Sequence, residues 1–399
     1  MNTNIEKLYQ LSLKQERIIL GLMSGTSCDG LDVALCKISG SGTNTKLTIL
    51  QFETIEYADD FKKEIKTSLS RKDADLENIC LLNPYIATQH AKIANQCLKK
   101  WNFKKEDIDL IASHGQTIYH APKSLHEKEK FPNATLQIGD GDHIAVQTGI
   151  ITISDFRQKH IAAGGEGAPL AVYGDYLLFS KLGENRILLN IGGIANFTFL
   201  PGDGNTENIF SSDVGPGNTM MDAFIRKHFS EKKYDDNGNI AKQGTFNNEL
   251  LLELKSHAFF ENDFPKTTGP ELFNLNYLQK AQEKTGTESL SKEDVMATLN
   301  KFTTDTIVLA INKIELTMNP TSIYVSGGGF HNAYLLENIK SQLTHTFDST
   351  NSLHINEDAK EAVLFAVLAN ECVCGSTLKI GLGKNKIPSI TMGKISFPD

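Results

Sequence analysis

The chain has 399 residues, of which 40% are hydrophobic, and a formal net charge of −8. This length predicts two or three domains that can each bury a core, and the acidic balance argues against nucleic acid as the main partner. No apolar run is as long as a membrane span, and residues 1–20 lack the apolar segment of a signal peptide. The six cysteines form no CxxC pair, which argues against a zinc site and favours reduced thiols in the cytoplasm.

The first half of the chain alternates between strand and helix patterns. Residues 17–56 predict a strand, a glycine-containing turn, a returning strand, a polar turn and a half-buried antiparallel strand. Residues 57–104 carry apolar side chains at helical spacing. The runs IDLIASHGQT and TISDF predict short strands, and RQKHIAAGGEGAPL predicts a loop with three glycines.

The second half repeats this arrangement without a sequence repeat of fixed period. RILLNIGGIANFTFL predicts a strand, a Gly-Gly turn and a returning strand, and residues 210–229 predict a strand end, a Gly-Pro-Gly turn and a helix. Helices follow from about residue 245 to 316, interrupted by FPKTTGPELF, and residues 322–339 predict a strand, a triple-glycine turn and a helix. This order predicts α/β lobes with partly antiparallel sheets.

The turn SGTSCDG contains more polar groups than a hairpin needs. Gly25 and Gly30 allow a ligand to approach the backbone closely, and successive N–H groups in such a turn form an anion-binding concavity. Asp29 and Asp32 would repel a phosphate but are suited to holding Mg²⁺ through water, which in turn bridges phosphate oxygens. The alternative is an ordinary turn rich in turn-forming residues.

Two further glycine turns are candidates for nucleotide binding. Gly192 and Gly193 lie between apolar strands and are flanked by Asn190 and Asn196, which makes this hairpin a counterpart of the first. The turn Gly327–Gly329 lacks the spacing of a dinucleotide fingerprint and of a P-loop, but its bare backbone is suited to a flat ligand such as adenosine. Tight packing of a helix on a strand would also explain it.

Asp213 is the most specific candidate for catalysis. It ends a strand and precedes a rigid Gly-Pro-Gly turn, so a carboxylate at this sheet edge would suit a general base. The alternative is a helix cap, although a cap more often lies immediately before its helix.

Polar residues after two other strands are candidates for binding a substrate. We predict that His114 and Gln116, at a strand end, contact the substrate, and that Arg157 pairs with a carboxylate. His160 and Glu166 lie in the same glycine-containing segment as Arg157, and His160 is equally compatible with a surface position. No G-x-S-x-G elbow accompanies the His-Gly dipeptide, which argues against a hydrolase triad.

These motifs, in this order, resemble the 1,6-anhydro-N-acetylmuramic acid kinases. The resemblance is carried by GLMSGTSCDGLDVAL, ASHGQTIYH, QIGDGDHIA, DFRQKHIAAGGEGAPL, LLNIGGIANFTFL, SDVGPGNTMMDAF and YVSGGGFHN. It implies a two-lobed α/β fold of the actin, sugar kinase and Hsp70 superfamily, with mixed sheets and ATP in a cleft. The implied lobes are residues 1–154 with about 378–399, and residues 155–377.

The resemblance also implies an activity and a set of site residues. An enzyme of this kind opens the anhydro bridge of its sugar with water and phosphorylates O6 with ATP, in the turnover of peptidoglycan. Asp213 matches the catalytic base, Glu361 matches a glutamate of the substrate pocket, and Arg157 would pair with the lactyl carboxylate. The implied phosphate loop, with Asp29 near Mg²⁺, consists of Gly25, Thr26, Ser27, Cys28, Asp29, Gly30, Leu31 and Asp32. The resemblance further implies a homodimer.

Two residues depart from the family's pattern and leave the preferred sugar open. The family usually has Asp at the position of His160 and Gln at the position of Glu166, and the extra negative charge of Glu166 would weaken recognition of an anionic sugar. Two alternatives therefore remain: a kinase of the same fold that acts on another anhydro-sugar or a simple hydroxyl, and a non-catalytic ATP switch. The N-terminal extension and residues 122–133 are longer than the family's minimal pattern, and no role is assigned to them.

Overall fold

The computed structural model describes residues 2–168, 170–229, 231–314, 318–353, 355, 358–375, 380 and 388–399. The chain divides into two compact units, Met1–Phe179 with Asp358–Asp399, and Ser180–Glu357. The sequence had placed the boundaries at 154/155 and 377/378; the structure instead groups residues 155–179 and 358–375 with the first unit. The predicted boundary at 377/378 lies outside the described residues.

The elements are numbered in chain order through the described ranges. The strands are β1 (Glu16–Met23), β2 (Gly30–Ser39), β3 (Lys46–Glu56), β4 (Leu110–Ser113), β5 (Gln116–Ala121), β6 (Ala134–Ile138), β7 (Thr152–Ser154), β8 (Asn185–Ile191), β9 (Ile194–Leu200), β10 (Phe210–Pro216), β11 (Thr321–Ser326), β12 (Thr346–Ser349) and β13 (Lys394–Ser396). The α-helices are α1 (Thr3–Leu13), α2 (Asp59–Ser68), α3 (Leu76–Lys100), α4 (Lys123–His126), α5 (Gly141–Thr148), α6 (Phe156–Ala162), α7 (Ala171–Phe179), α8 (Thr219–His228), α9 (Asn248–Leu254), α10 (Leu275–Thr285), α11 (Lys292–Asn312), α12 (Ala333–Lys340) and α13 (Lys360–Cys374).

The first unit is built on a mixed sheet with the strand order β13-β7-β4-β1-β2-β3. Strands β1, β2 and β3 pair antiparallel, while β1, β4 and β7 are parallel neighbours. The alternating pattern of residues 46–56 thus predicted the antiparallel strand β3 correctly, and the structure places this strand at the edge of the sheet. Helix α13 packs on β1, β2 and β4, and α7 packs on α13, which is why residues on both sides of the second unit's sequence belong to this unit.

The second unit has its own mixed sheet, with the order β10-β9-β8-β11-β12. Strands β8, β9 and β10 form an antiparallel meander, and β8, β11 and β12 are parallel neighbours. Its core is formed by inward-facing residues of the meander and by the long helix α11. Phe197 of β9 and Phe302 of α11, for example, belong to one buried hydrophobic cluster. Both units therefore confirm the α/β prediction with partly antiparallel sheets.

One sequence prediction was wrong about local structure. RQKHIAAGGEGAPL was predicted as a loop, but residues 156–162 form helix α6, and the glycine segment starts only after it. The helix forms because Phe156 and His160, four residues apart, are both buried on one face. Three nearby glycines obscured that spacing.

None of the helices in the described ranges combines the length and the apolar character that crossing a lipid bilayer requires.

Candidate functional site

The turn between β1 and β2 is exposed at its tip and sealed at its base. Thr26, Ser27 and Asp29 are exposed, while the side chains of Cys28 and Leu31 are fully buried. Cys28 adopts a positive φ of 58°, and burial raises the pKa of its thiol. Cys28 and Leu31 were predicted as ligand-binding residues; because their side chains fill the core, only their backbone groups are available to a ligand.

The buried side chains of Gln116 and His114 support this turn through hydrogen bonds. Ser24 Oγ donates to Gln116 Oε1 at 2.6 Å, and Gln116 Nε2 donates to the carbonyl of Gly25 at 3.0 Å. His114 Nδ1 lies 3.1 Å from the carbonyl of Ser24. His114 and Gln116 are 3% and 0% exposed, so the expectation that they touch the substrate needs correction. Their side chains bond the backbone and the Ser24 side chain of the turn.

Arg157, on α6, extends this network. Its Nη2 donates to His114 Nε2 at 2.9 Å and its Nη1 donates to the carbonyl of Gly167 at 2.6 Å. Because guanidinium can only donate, His114 Nε2 must accept, and the imidazole proton on Nδ1 then donates to Ser24. Burial and the Arg157 charge lower the pKa of His114 to about 3, which keeps the ring neutral.

One nitrogen of the Arg157 guanidinium makes no hydrogen bond to the described residues. This atom, Nε, is buried. Burial lowers the pKa of Arg157, and the nearby Glu361 charge opposes that shift. A fixed guanidinium with a free N–H suits a carboxylate ligand.

His160 supports the same region from inside the protein. It is 4% exposed, so the surface position considered for it from sequence is excluded. Its Nδ1 accepts the N–H of Gly167 at 2.9 Å, and Gly167 in turn accepts from Arg157. Burial, together with Arg157, lowers the pKa of His160 to about 4.

Glu166 is directed towards the segment 122–133. Its Oε1 accepts from Ser124 Oγ at 3.1 Å, and Asn133 Nδ2 donates to the carbonyl of Gly165 at 3.0 Å. The long segment and the glycine loop are thus tied together at two points. The Glu166 carboxylate, whose charge we expected to weaken recognition of an anionic sugar, thus has a hydrogen-bond partner in residues 122–133.

Acidic groups cluster near Arg157 at the start of α13. Burial raises the pKa of Glu361, the Asp32 charge raises it further, and Lys360 and Arg157 lower it. Burial also raises the pKa of Asp32, whose Oδ1 accepts from Thr54 Oγ1 at 2.6 Å. The first unit therefore brings Asp32, Arg157 and Glu361 into one electrostatic neighbourhood.

In the second unit, two glycine turns pack on each other through their backbones. Gly217 and Thr219 donate their N–H groups to the carbonyl of Gly193 at 2.9 and 3.0 Å, and Asn218 donates to the carbonyl of Gly192 at 2.8 Å. A Cβ on Gly217 would lie 2.3 Å from the carbonyl oxygen of Gly192, so only glycine permits this approach.

Asp213 lies on β10 beside these turns. The register of β10 against β9 shifts between Asp213 and Gly215, which marks a bulge. Asp213 Oδ2 accepts the N–H of Thr268 at 2.8 Å. Burial raises the pKa of Asp213, the Thr268 bond lowers it, and the Glu271 charge raises it. The side chain is half-buried and is not sealed in the core.

The triple-glycine turn joins the same group. Gly327 has a φ of 83°, and a Cβ there would lie 2.6 Å from Asn190 Oδ1, beside the Gly192–Gly193 turn. Gly328 is exposed and lines a cleft of about 1160 Å³ together with Asn218, Asp236 and Phe330. The second unit thus brings three predicted motifs together: Gly192–Gly193, Asp213 and Gly327–Gly329.

The sequence pointed to Asn190 and Asn196 as flanking residues without a role, and it gave no sign of Thr268. Asn196 lies opposite both Asn190 and Asp213 in the sheet, so the three side chains form a row across β8, β9 and β10. The two asparagines flanking Gly-Gly were a visible signal. Thr268 gave no signal, because it lies on a segment far along the chain.

The comparisons with known proteins identify the family of the chain. Residues 17–382 match the family model described as anhydro-N-acetylmuramic acid kinase. Proteins with that name are 55% identical in Pseudoalteromonas atlantica and 53% identical in Pseudoalteromonas translucida, in each case over 100% of both chains. A third, from Caldanaerobacter subterraneus, is 38% identical over 98% of this chain and 100% of its own.

These matches define the class of the protein as an ATP-dependent sugar kinase. The chain belongs to the anhydro-N-acetylmuramic acid kinase family.

Proposed function

We propose that the protein opens the anhydro bridge of 1,6-anhydro-N-acetylmuramic acid with water and transfers the γ-phosphoryl group of ATP to O6, in the recycling of peptidoglycan. The products are N-acetylmuramic acid 6-phosphate and ADP. The observation that carries the proposal is the group formed by Asp213 and the two glycine turns beside it. It provides a half-buried carboxylate next to backbone suited to phosphate.

The proposed chemistry gives Asp213 a single task. Its carboxylate takes a proton from water as the water oxygen bonds to C1 of the sugar. The C1–O6 electron pair moves to O6, which attacks the γ-phosphorus while the bond to ADP breaks. This combines half of an inverting glycosidase with a kinase. Because the phosphoryl group takes O6, one carboxylate suffices for the proton transfer. Burial, which raises the pKa of Asp213, strengthens it as a base.

We assign the nucleotide contacts to the glycine turns. The backbone of Gly25–Asp29 and the Gly192–Gly193 turn would contact phosphate oxygens, and the cleft at Gly328 would receive adenosine. Asp29, exposed at the first turn, would hold Mg²⁺ through water. Among the described residues, no group of three or more His, Cys, Asp or Glu side chains is placed to hold a metal ion.

We assign recognition of the sugar to the first unit. The guanidinium of Arg157, a residue that is only partly buried, would donate to the lactyl carboxylate, and Glu361 would accept a hydrogen bond from the sugar. In this assignment three buried side chains have an indirect role and do not touch the sugar. The β1–β2 turn is supported by His114 and Gln116, and the Gly167 contact of Arg157 is supported by His160. Glu166 keeps its charge when it accepts from Ser124, but this contact directs its carboxylate towards residues 122–133.

The main test is whether ADP is formed only in the presence of the sugar. The purified protein should release ADP with anhydro-N-acetylmuramic acid and ATP, and a product made in ¹⁸O-water should carry the label on the oxygen at the anomeric carbon. ADP release that ignores the sugar would instead favour an ATP switch. A product without the label would favour a kinase that acts on a simple hydroxyl.

The role of Asp213 has its own test. Asp213→Asn should bind ATP normally but turn over at least about a hundredfold more slowly, which is the usual scale for losing a general base. Activity near that of the wild type would mean that another group takes the proton.

We further propose that the enzyme is a homodimer, as the family resemblance implies, and that it lies in the cytoplasm, as its cysteine usage indicates. Sedimentation of the purified protein at micromolar concentration would test the dimer, and fractionation of cells would test the location.

A further inference from the structure

Residues 264–268, which we call the strap, lie alongside the part of β10 that carries Asp213. The N–H of Lys266 donates to Ser212 Oγ at 3.0 Å, and the carbonyl of Lys266 accepts the N–H of Asp213 at 2.9 Å. Two neighbouring residues of β10 are therefore bonded to one residue of the strap. This fixes the backbone on which the Asp213 side chain is mounted.

The strap also reaches the carboxylate itself. At its end, the N–H of Thr268 donates to Asp213 Oδ2 at 2.8 Å. A backbone donor has no rotamers of its own, so it orients the carboxylate more firmly than a mobile side chain would. Asp213 Oδ1 accepts no hydrogen bond from the described residues, and it remains available to a reacting group.

The bulge explains why Asp213 needs such support. The register of β10 shifts directly after Asp213, and a bulge redirects the side chain beside it while interrupting the regular ladder. The hydrogen bonds from the strap restore fixed partners at this point. A side chain that is redirected and then held in place is typical of a site where orientation matters.

The strap is anchored in the core on its other side. Lys266 Nζ donates to the carbonyl of Phe259 at 2.9 Å and lies 4.4 Å from the centre of the Phe259 ring. The Phe264 ring packs against Phe197 and Phe210, with ring centres 5.3 and 5.5 Å apart. The strap is thus fastened to the core through Phe264 and Lys266, although its residues are half-buried or exposed, and these contacts fix its position beside Asp213.

We infer that the strap is a positioning element for proton transfer by Asp213: the Thr268 N–H holds Oδ2 of the ionised carboxylate so that Oδ1 accepts the proton of the attacking water. This inference rests on the proposed function. Two further side chains lie near Asp213, and only one of them carries a charge that affects its titration. Glu271, just beyond the strap, repels the ionised form, and Asn196, opposite on β9, is neutral.

The decisive experiment compares two proline substitutions in the strap by their pH–rate profiles. Thr268→Pro removes the N–H that bonds Asp213, whereas Thr267→Pro places the same ring at the preceding, exposed position. Without the hydrogen bond the ionised form of Asp213 is less favoured. The acidic limb of kcat in Thr268→Pro should therefore move to higher pH by about one unit, and the lost orientation of the carboxylate should lower kcat on the plateau by roughly tenfold or more.

Glu271→Gln supplies a test in the opposite direction. Removing the like charge favours the ionised form of Asp213, so the acidic limb should move to lower pH while the protein stays folded. Should Thr268→Pro fail to fold, Ser212→Ala replaces it: it removes the partner of Lys266 N–H, and its limb should move to higher pH.

Three results would overturn the inference. One is an acidic limb that coincides with the wild type in Thr268→Pro, or in Ser212→Ala where that variant replaces it. The second is an equal shift in Thr267→Pro, which would indicate general distortion. The third is a shift to higher pH in Glu271→Gln. A failure of the proposed function looks different, because the wild-type enzyme would then show no ADP formation that depends on the sugar.

Discussion

The two glycine hairpins are stabilised in different ways. In the first unit, the β1–β2 turn depends on side chains: Ser24, His114 and Gln116 bond it from below. In the second unit, the Gly192–Gly193 turn depends on backbone: three N–H groups of residues 217–219 donate to its two carbonyls. The same outward form, a strand, a glycine turn and a returning strand, is thus held by polar side chains in one case and by close backbone contact in the other.

This difference determines which changes should destabilise each turn. A turn held by buried side chains is sensitive to their protonation and to the loss of single polar groups. A turn held by backbone contact is sensitive to any added atom and indifferent to pH. The predictions below test that contrast.

The largest expected effect is an acid sensitivity of the first unit. Burial lowers the pKa of His90 to about 4, of His114 to about 3 and of His160 to about 4. Between these values and about 6.5 the unfolded chain binds more protons than the folded one. The free energy of unfolding should therefore fall as pH drops through this window, by about 1.4 kcal/mol per pH unit for each histidine.

Fluorescence can report this loss in the first unit alone. Trp101 is the only tryptophan of the sequence and packs against the core of the first unit. Urea unfolding followed by Trp101 should shift to lower urea between pH 7 and pH 5. Hydrogen exchange in β8–β10 should not show the same loss, because burial raises the pKa of Asp213 and Asp222 in the second unit. Equal destabilisation of both units would contradict the contrast.

The next effect concerns the backbone contact in the second unit. Gly217→Ala places a Cβ 2.3 Å from the carbonyl oxygen of Gly192, so one of the two turns must move. We expect a loss of about 1–3 kcal/mol in the free energy of unfolding, the range for overpacking, and a rise in the KM for ATP.

Gly193→Ala serves as the matched comparison for stability. Its nearest neighbour to an added Cβ is Thr219 Cβ at 3.8 Å, which is an ordinary contact. Denaturant unfolding should place its stability near that of the wild type. If the two alanine variants were equally stable, close backbone contact would not be what holds the turn.

A similar loss in the free energy of unfolding should follow from removing one side chain that supports the β1–β2 turn. Gln116→Ala breaks its bonds to Ser24 and Gly25 and leaves buried polar groups without partners, at a cost of about 1–3 kcal/mol. Gln147→Ala is the control, since Gln147 is exposed and bonds only a neighbouring helix, through Thr88. Thermal unfolding of the two variants should differ clearly. A neutral Gln116→Ala would remove the side-chain account of this turn.

The smallest effect is on thiol reactivity. Burial raises the pKa of Cys28 and raises that of Cys36 to about 12, whereas Cys80 is exposed. A thiol reagent at pH 7.5 should therefore modify Cys80 quickly and Cys28 only after unfolding. Rapid labelling of Cys28 would show that the base of the first turn is open.

The sequence predicted what depends on local pattern. The alternation of residues 46–56, the glycine turns and the Asp213 motif each lie within a short stretch, and the corresponding strands and turns are present. Helix α6 was missed because glycines close to it resembled a continuous loop.

What depends on contacts far apart in the chain was not predicted. His114 and Gln116 look like ligand-binding groups at a strand end, and only the tertiary structure shows that they bond the first turn, about 90 residues earlier. The strap lies over 50 residues after Asp213 and has an unremarkable sequence. The boundary between the units was misplaced for the same reason, since α13 joins a sheet formed by the start of the chain.

The interrupted order of the first unit has a consequence for synthesis on the ribosome. Residues 180–357 form a continuous unit that can fold as soon as they emerge, but the first unit lacks α13 and β13 until residues 360–396 have been synthesised. The sheet beneath the first turn thus has one face uncovered while residues 180–357 are made. Nascent chains stalled before residue 358 should accordingly bind chaperones through their first 179 residues and release them once the last helix is made.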